Sequence, residues 1–389
     1  MSKERQELDV EALNQELCKE LESSERDESA QENRKHHRRH RKKKKIRMTP
    51  FRVMVVILCV ILILLATAVA AFGIMRSRGK KGLQTEKVET VISAPEEAEM
   101  AEEGKYVVYN GERYCYNENV ISILCMGIDT SITETSDDNI GENSQADALI
   151  LVVLDSETGE MSLINISRDS MVDVNKYNVE GKYLGTEKMQ ICLSYAYGDG
   201  KEKSCLNTAE SVSRLMYGMP IHAYAAIDYD AISLLNDAVG GVTVTVLEDL
   251  SGKDPALQEG AEVTLDGQQA HTYVRTRDIE LLDSNNMRMA RQKQYLLSFV
   301  QTALAKTRED IGVPLTLYQT ASDYMVTDVG ASEVTYLASL VLQQGVSESA
   351  IRSVPGEVIK GEIYAEFIPD DQGLYELILD VFYNKVDMQ

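Results

Sequence analysis

Apolar positions are spaced in three different ways along this chain. Near the N-terminus they form one unbroken run, VMVVILCVILILLATAVAAFGIM from Val53 to Met75. It exceeds the roughly 20 residues that cross a bilayer and is longer than the core of a cleaved signal, which predicts an uncleaved anchor helix. Further on, apolar residues fall in short blocks. ISILCMGI, ALILVVLD and MSLINIS read as strands, the last two joined by a tight turn at Ser156 to Gly159, so a hairpin is predicted. The period then lengthens. A helix is predicted over about Ser204 to Tyr217, followed by the strand YAAIDY, a helix over Asp230 to Ala238, the turn Gly240-Gly241 and the strand VTVTV. DGQQAHTYV and MARQKQYLLSFVQTALAKT are predicted helical, the second with Leu296, Val300 and Leu304 on one face, and the C-terminal region adds helices and a strand at Ile351 to Val354. Interleaving of this kind predicts an α/β fold, a mixed central β-sheet covered by helices on both faces, behind a single N-terminal transmembrane helix.

The polar segments divide the rest. Residues 1–33 are acidic, with Leu13, Leu17 and Leu21 at helical spacing, and read as a mostly disordered tail. The basic tract from Arg34 to Arg47 precedes the apolar run, and only Arg76, Arg78, Lys80 and Lys81 follow it closely, which orients the N-terminus to the cytoplasm. Beside a membrane span such a tract anchors to anionic lipid. Residues 76–104 are polar and poor in aromatics and predict a stalk. The expected organisation is a cytoplasmic tail over 1–50, a transmembrane helix over 51–75, an extracellular stalk over 76–104 and an extracellular domain over 105–389, in a single-pass cell-membrane protein.

Charge narrows the partners. The chain of 389 residues carries a net charge of -22, yet residues 1–52 hold 15 Lys and Arg against 11 Asp and Glu, so the part beyond the membrane is strongly acidic. A diffuse field of that sign repels nucleic acid, and no helix-turn-helix pattern occurs in residues 1–50, so no nucleic-acid partner is expected. Anion binding outside the membrane requires a local cluster of cations. Of the six cysteines, Cys115, Cys125, Cys192 and Cys205 fall outside the membrane. Their even number and sequence proximity predict the disulfides Cys192–Cys205 and Cys115–Cys125, with free buried thiols as the alternative for the second pair. Three of the five His (His36, His37 and His40) belong to the basic tract, and no zinc spacing occurs.

The candidate chemistry is held by carboxylates and guanidiniums. Asp129 ends ISILCMGI and Asp147 opens ALILVVLD, so both fall at strand ends beside the loop Thr130 to Ala146. A carboxylate pair without His or Cys suits Mg2+ or Mn2+ with retained waters and substrate phosphate oxygens; simple loop capping is the equal alternative. Arg168 follows a strand directly and is adjacent to Asp169. Arg275 and Arg277 share a face if their segment is extended and diverge if it is helical. Arg288 and Gln292 are four apart on a predicted helix, with Arg291 one turn from Arg288. Arginine grips phosphate as a planar fork, so its recurrence in distant segments of an acidic domain points to a pyrophosphate-like ligand.

The succession ILCMGIDT, QADALILVVLD, INISRDSMVDV, LSYAYGDG, AYAAIDYDAISLLNDAVGGVTVTV, HTYVRTRD and RMARQKQYL resembles the LytR-CpsA-Psr family in order and spacing from about Ile121 to Lys306. The resemblance implies a phosphotransferase that moves an anionic glycopolymer, of the teichoic acid or capsular polysaccharide type, from a polyprenyl-pyrophosphate carrier in the membrane to peptidoglycan. It implies Asp129 and Asp147 as metal-associated acids, and Arg168, Arg275, Arg277, Arg288 and Gln292 as the pyrophosphate contacts. It also implies an apolar groove for the lipid, for which the helices Ala231 to Val239 and Leu296 to Leu304 are the expected walls. The chain departs from the family at Gln145, where Arg is usual, at Asn285, where Asp is usual and for which Asp283 is the substitute, and at Cys192, which takes an Asn position. The alternative function is a non-catalytic anchored binder of wall polymer, or a regulator acting through the cytoplasmic tail.

Overall fold

The computed structural model describes residues 67, 70–84, 90–129, 144–276, 284–344, 348–361 and 364–387. The predicted tail over 1–50 and most of the apolar run over 51–75 lie outside them, and among the described residues no helix is long and apolar enough to cross a membrane.

Two sheets organise the unit Thr67–Gln389. The smaller joins β1 (Glu99–Ala101), β2 (Tyr106–Tyr109), β3 (Glu112–Tyr116) and β16 (Tyr383–Val386), all antiparallel. The larger is mixed and six-stranded. Its centre, β4 (Val120–Ile128), pairs antiparallel with β5 (Ala146–Asp155) and parallel with β9 (Ala223–Asp228). With β6 (Met161–Ile166), β12 (Met325–Thr327) and β13 (Ile351–Ser353) the order is β12-β9-β4-β5-β6-β13. Three hairpins flank the sheets: β7 (Met171–Tyr177) with β8 (Tyr183–Gln190), β10 (Val242–Thr245) with β11 (Glu262–Leu265), and β14 (Gly356–Lys360) with β15 (Ala365–Pro369).

β4 reads as a continuous apolar run because helices cover both faces of the sheet. Leu124, Met126 and Ile128 enter a core closed by α2 (Glu202–Leu215) and α8 (Asp371–Phe382). Ile121 and Ile123 face the other way, under α7 (Ala331–Gln344). Each such side chain contributes about 1.5–3 kcal/mol by leaving water. A third cluster joins the β10–β11 hairpin to α3 (Asp230–Ala238), α4 (Gly267–Arg275) and α5 (Ser284–Glu309). The short α1 (Leu193–Ala196) precedes α2, and α6 (Val313–Ala321) follows α5.

Local chemistry sets the boundaries. In the turn between β5 and β6, the Asp155 carboxylate accepts from the N–H groups of Glu157 and Thr158 at 2.7 and 2.9 Å, and Gly159 supplies φ +77°. Between α3 and β10, Gly241 has φ +94°, and a Cβ there would lie 2.9 Å from Thr264 Cγ2; only glycine fits. A capping box of Asp266 and Gln269 starts α4.

Two expectations are corrected. Residues 76–104 are not a solvated stalk in their described part. Leu83 is buried beneath α7, Arg76 donates to Ser339 at 2.9 Å, and Ile92, Ala94 and Ala98 pack on the main core. A handful of apolar residues in a polar stretch is enough to dock it. The four cysteines expected to pair are free. Cys205 is buried in the main core, whereas the Cys192 sulfur faces Arg168 at 3.4 Å, so proximity in sequence did not become proximity of thiols.

Candidate active site

Parallel pairing of β9 with β4 carries the C-terminal ends of both strands to one rim, where Ile128 lies beside Asp228 and β5 begins with Ala146. Ligands of α/β sheets bind at such carboxyl ends. The β4–β5 ladder breaks there. Gly127 faces Ala148 and Ile128 faces Ala146, which leaves Asp147 as the extra residue of a bulge. A bulge re-aims a side chain, and this one directs a mostly buried carboxylate into the rim.

That carboxylate gathers two guanidiniums. Arg168, just past β6, pairs through Nη1 with Asp147 Oδ1, and Arg288, in the first turns of α5, donates from Nη1 to Asp147 Oδ2 at 3.1 Å. Arg168 is fixed on its other edges as well. Its Nη2 donates to Gln145 Oε1 at 2.5 Å, and its Nε lies 3.6 Å from Asp169 Oδ1. Burial draws the Arg288 pKa down from its usual value, so a carboxylate partner sustains its charge. Burial pushes the Cys192 thiol up against the pull of Arg168, which keeps a neutral group on that side. Asp129 closes the rim: its Oδ1 accepts from the Gln145 N–H at 2.8 Å, and its own N–H donates to the Gln145 carbonyl at 3.2 Å.

The remaining residues divide. Arg275 ends α4, exposed, with its guanidinium carbon 5.7 Å from the centroid of the Tyr229 ring. Its contact is thus with Tyr229 beside the rim. Arg277 and Asp283 lie outside the described residues, as do Glu134, Asp137, Asp138 and Glu142. Arg291 and Gln292, expected at the ligand, both brace the end of α4, and Gln292 also lines the apolar cavity behind the rim. Arg291 is 1% exposed, pairs with Glu248 at 2.6 Å and donates to the carbonyls of Tyr273 and Thr276, while Gln292 donates to the Val274 carbonyl at 3.2 Å. The last turn of a helix leaves carbonyls without partners, and these two side chains satisfy them at the end of α4, where Arg275 leaves the helix. Glu248 had no motif to announce it, and Tyr229, though inside the segment AYAAIDYDAISLLNDAVGGVTVTV, carried no role there; its one further signal was its place directly after a parallel strand.

Behind the rim lies an apolar cavity of about 220 Å³. Ala148, Ile150 and Ile227 form its floor on the sheet, and Ile232 and Leu235 of α3 and Leu296 and Phe299 of α5 form its walls. Its polar end is Asp228, Tyr229 and Gln292, one strand residue from Asp147 at Ala148 and one helical turn from Arg288.

As arranged, Asp129 and Asp147 are both engaged by protein donors. Each oxygen of Asp147 faces a guanidinium, and among the described residues no group of three or more His, Cys, Asp or Glu is placed to hold a metal. A cation there would compete with Arg168 and Arg288 for the same carboxylate.

A family model described as the LytR_cpsA_psr family matches residues 84–375. Among curated relatives, Biofilm regulatory protein A of Streptococcus mutans is 26% identical over 282 residues, 70% of this chain and 63% of that protein. Polyisoprenyl-teichoic acid–peptidoglycan teichoic acid transferase TagV of Bacillus subtilis is 28% identical over 217 residues, 54% of this chain and 51% of that protein. The chain therefore spans less than two thirds of the length of either relative. The crystal structure of B. subtilis TagV superposes with a TM-score of 0.50 at 25% identity, covering 67% of this chain and 95% of that one.

Proposed function

Because this chain belongs to the LytR_cpsA_psr family, we propose that it is a phosphotransferase that attaches an anionic glycopolymer, of the teichoic acid or capsular polysaccharide type, to peptidoglycan from a polyprenyl-pyrophosphate carrier. The apolar run Val53 to Met75 holds it in the cell membrane, with the described domain outside. The observation that carries this reading is the abutment of a guanidinium cluster, Arg168 and Arg288 on Asp147, against an apolar cavity between the sheet and α3 and α5. A diphosphate on a prenyl chain needs both halves side by side.

A sugar hydroxyl of peptidoglycan attacks the phosphorus nearer the glycopolymer and releases its proton to water, the bond from that phosphorus to the bridging oxygen breaks, and polyprenyl phosphate leaves. Such a transfer needs charge neutralisation and in-line positioning rather than a protein nucleophile. Arg168, Arg275 and Arg288 supply cationic donors. Asp147, held on both oxygens by guanidiniums, positions them. No step is assigned to a metal.

The test uses the full-length protein in lipid nanodiscs with a lipid-linked donor and peptidoglycan acceptor, with and without Mg2+ or Mn2+. Arg168→Ala and Arg288→Ala are expected to lose transfer; full activity in both would overturn the assignment. The relative named as a biofilm regulatory protein favours a second reading, a regulatory protein without transfer activity, which predicts no turnover in the same assay.

A further inference from the structure

At the rim, β9 passes into α3 through Tyr229, whose side chain spans two environments. The residue lines the apolar cavity beside Ile232 and Val274. The Arg275 guanidinium lies 5.7 Å from its ring centroid, and the His271 ring meets it edge-on at 6.4 Å. Tyr229 directly follows Asp228, which pairs with Ile128 at the rim where the bulge presents Asp147. The hydroxyl is fully buried and has no hydrogen-bond partner among the described residues. Buried tyrosines ordinarily find one, and a phenylalanine would fill the same wall without stranding a polar atom. Packing therefore accounts for the ring and not for the oxygen.

We propose that Tyr229 is a substrate-contacting residue whose hydroxyl donates a hydrogen bond to a phosphate oxygen of the prenyl diphosphate, where the lipid chain joins the phosphate. This rests on the reading of the chain as a transferase that cleaves such a diphosphate. With the alkyl chain in the cavity and the phosphates on Arg168, Arg275 and Arg288, the junction passes the phenol. Burial raises the Tyr229 pKa more than the three guanidiniums lower it, so the group is a donor at neutral pH. When the bridging bond breaks, the bridging oxygen leaves with both electrons on the prenyl phosphate. A donor fixed beside that growing charge stabilises it, and Tyr229 keeps its proton throughout.

The test is Tyr229→Phe in the full-length protein, which retains the ring and the cavity wall. Binding is measured with geranylgeranyl diphosphate and with geranylgeraniol. The variant is expected to bind the diphosphate at least about tenfold more weakly, as when a hydrogen bond to a charged group is lost, and the alcohol as wild type does. In the transfer assay its kcat should fall while its melting temperature does not. Equal diphosphate affinity in both proteins, or equal weakening for diphosphate and alcohol, would overturn the proposal. Absence of transfer by the wild-type protein would sink the transferase reading alone, because the binding comparison still decides the contact.

Discussion

Arg288 reaches across 141 residues of sequence to donate to Oδ2 of Asp147 at 3.1 Å. The same carboxylate pairs with Arg168, so one bulged residue permits two cations to share a confined space. Asp147→Asn removes the charge that reconciles them. Unit charges 4 Å apart repel by about 4 kcal/mol at an effective dielectric constant of 20, enough to spread the guanidiniums. Transfer is expected to fall on the order of 100-fold, comparable with the loss of a preorganised donor. Steady-state kcat/KM decides it, and a variant near wild-type rate would remove Asp147 from the machinery.

Arg291 should behave oppositely to Arg288 although both are buried. Arg291→Ala strands Glu248 and the terminal carbonyls of α4, which predicts a loss on the order of 3 kcal/mol in chemical denaturation. Arg288→Ala is expected to cost activity first and stability less. Identical denaturation midpoints for Arg291→Ala and wild type would contradict the clamp.

Leu296 of α5 walls the apolar cavity, and Leu296→Trp places extra volume inside it. KM is expected to rise several-fold for donors with long prenyl chains and to change little for donors with very short ones. An equal effect on both would show that the lipid lies elsewhere.

His222 provides a pH readout away from the rim. Its Nδ1 accepts from the Ser122 N–H at 3.1 Å, and burial lowers its pKa from 6.5 to about 4. Between those values the unfolded chain binds a proton that the folded chain does not. Stability conferred by this site is therefore complete above pH 6.5 and declines as pH falls toward 4, by up to about 1.4 kcal/mol per pH unit. In His222→Asn, which keeps an acceptor, melting temperature should depend less on pH across that window. Parallel curves for the two proteins would refute the linkage.

Much of the sheet was legible because β4, β5 and β6 are long apolar blocks and the Ser156 to Gly159 turn carries its own chemistry. The β7–β8 hairpin escaped because β8, YLGTEKMQ, is mostly exposed and offers no apolar rhythm. The convergence of Arg168 and Arg288 followed from the family resemblance and not from spacing; no local pattern tells that a residue on α5 meets one after β6. Arginine alone also does not announce its role. Arg288 and Arg291 stand three apart on one helix, yet one meets a carboxylate at the rim and the other holds the end of α4, a difference set by what packs opposite each.

The turn from Asp155 to Gly159 lies at the far end of the strand that carries Asp147, roughly 26 Å away at 3.3 Å per residue. Thr158 is exposed there. A fluorophore or epitope inserted at that tip would be carried on a stiff arm, giving a way to follow this protein in living cells while its catalytic end stays untouched.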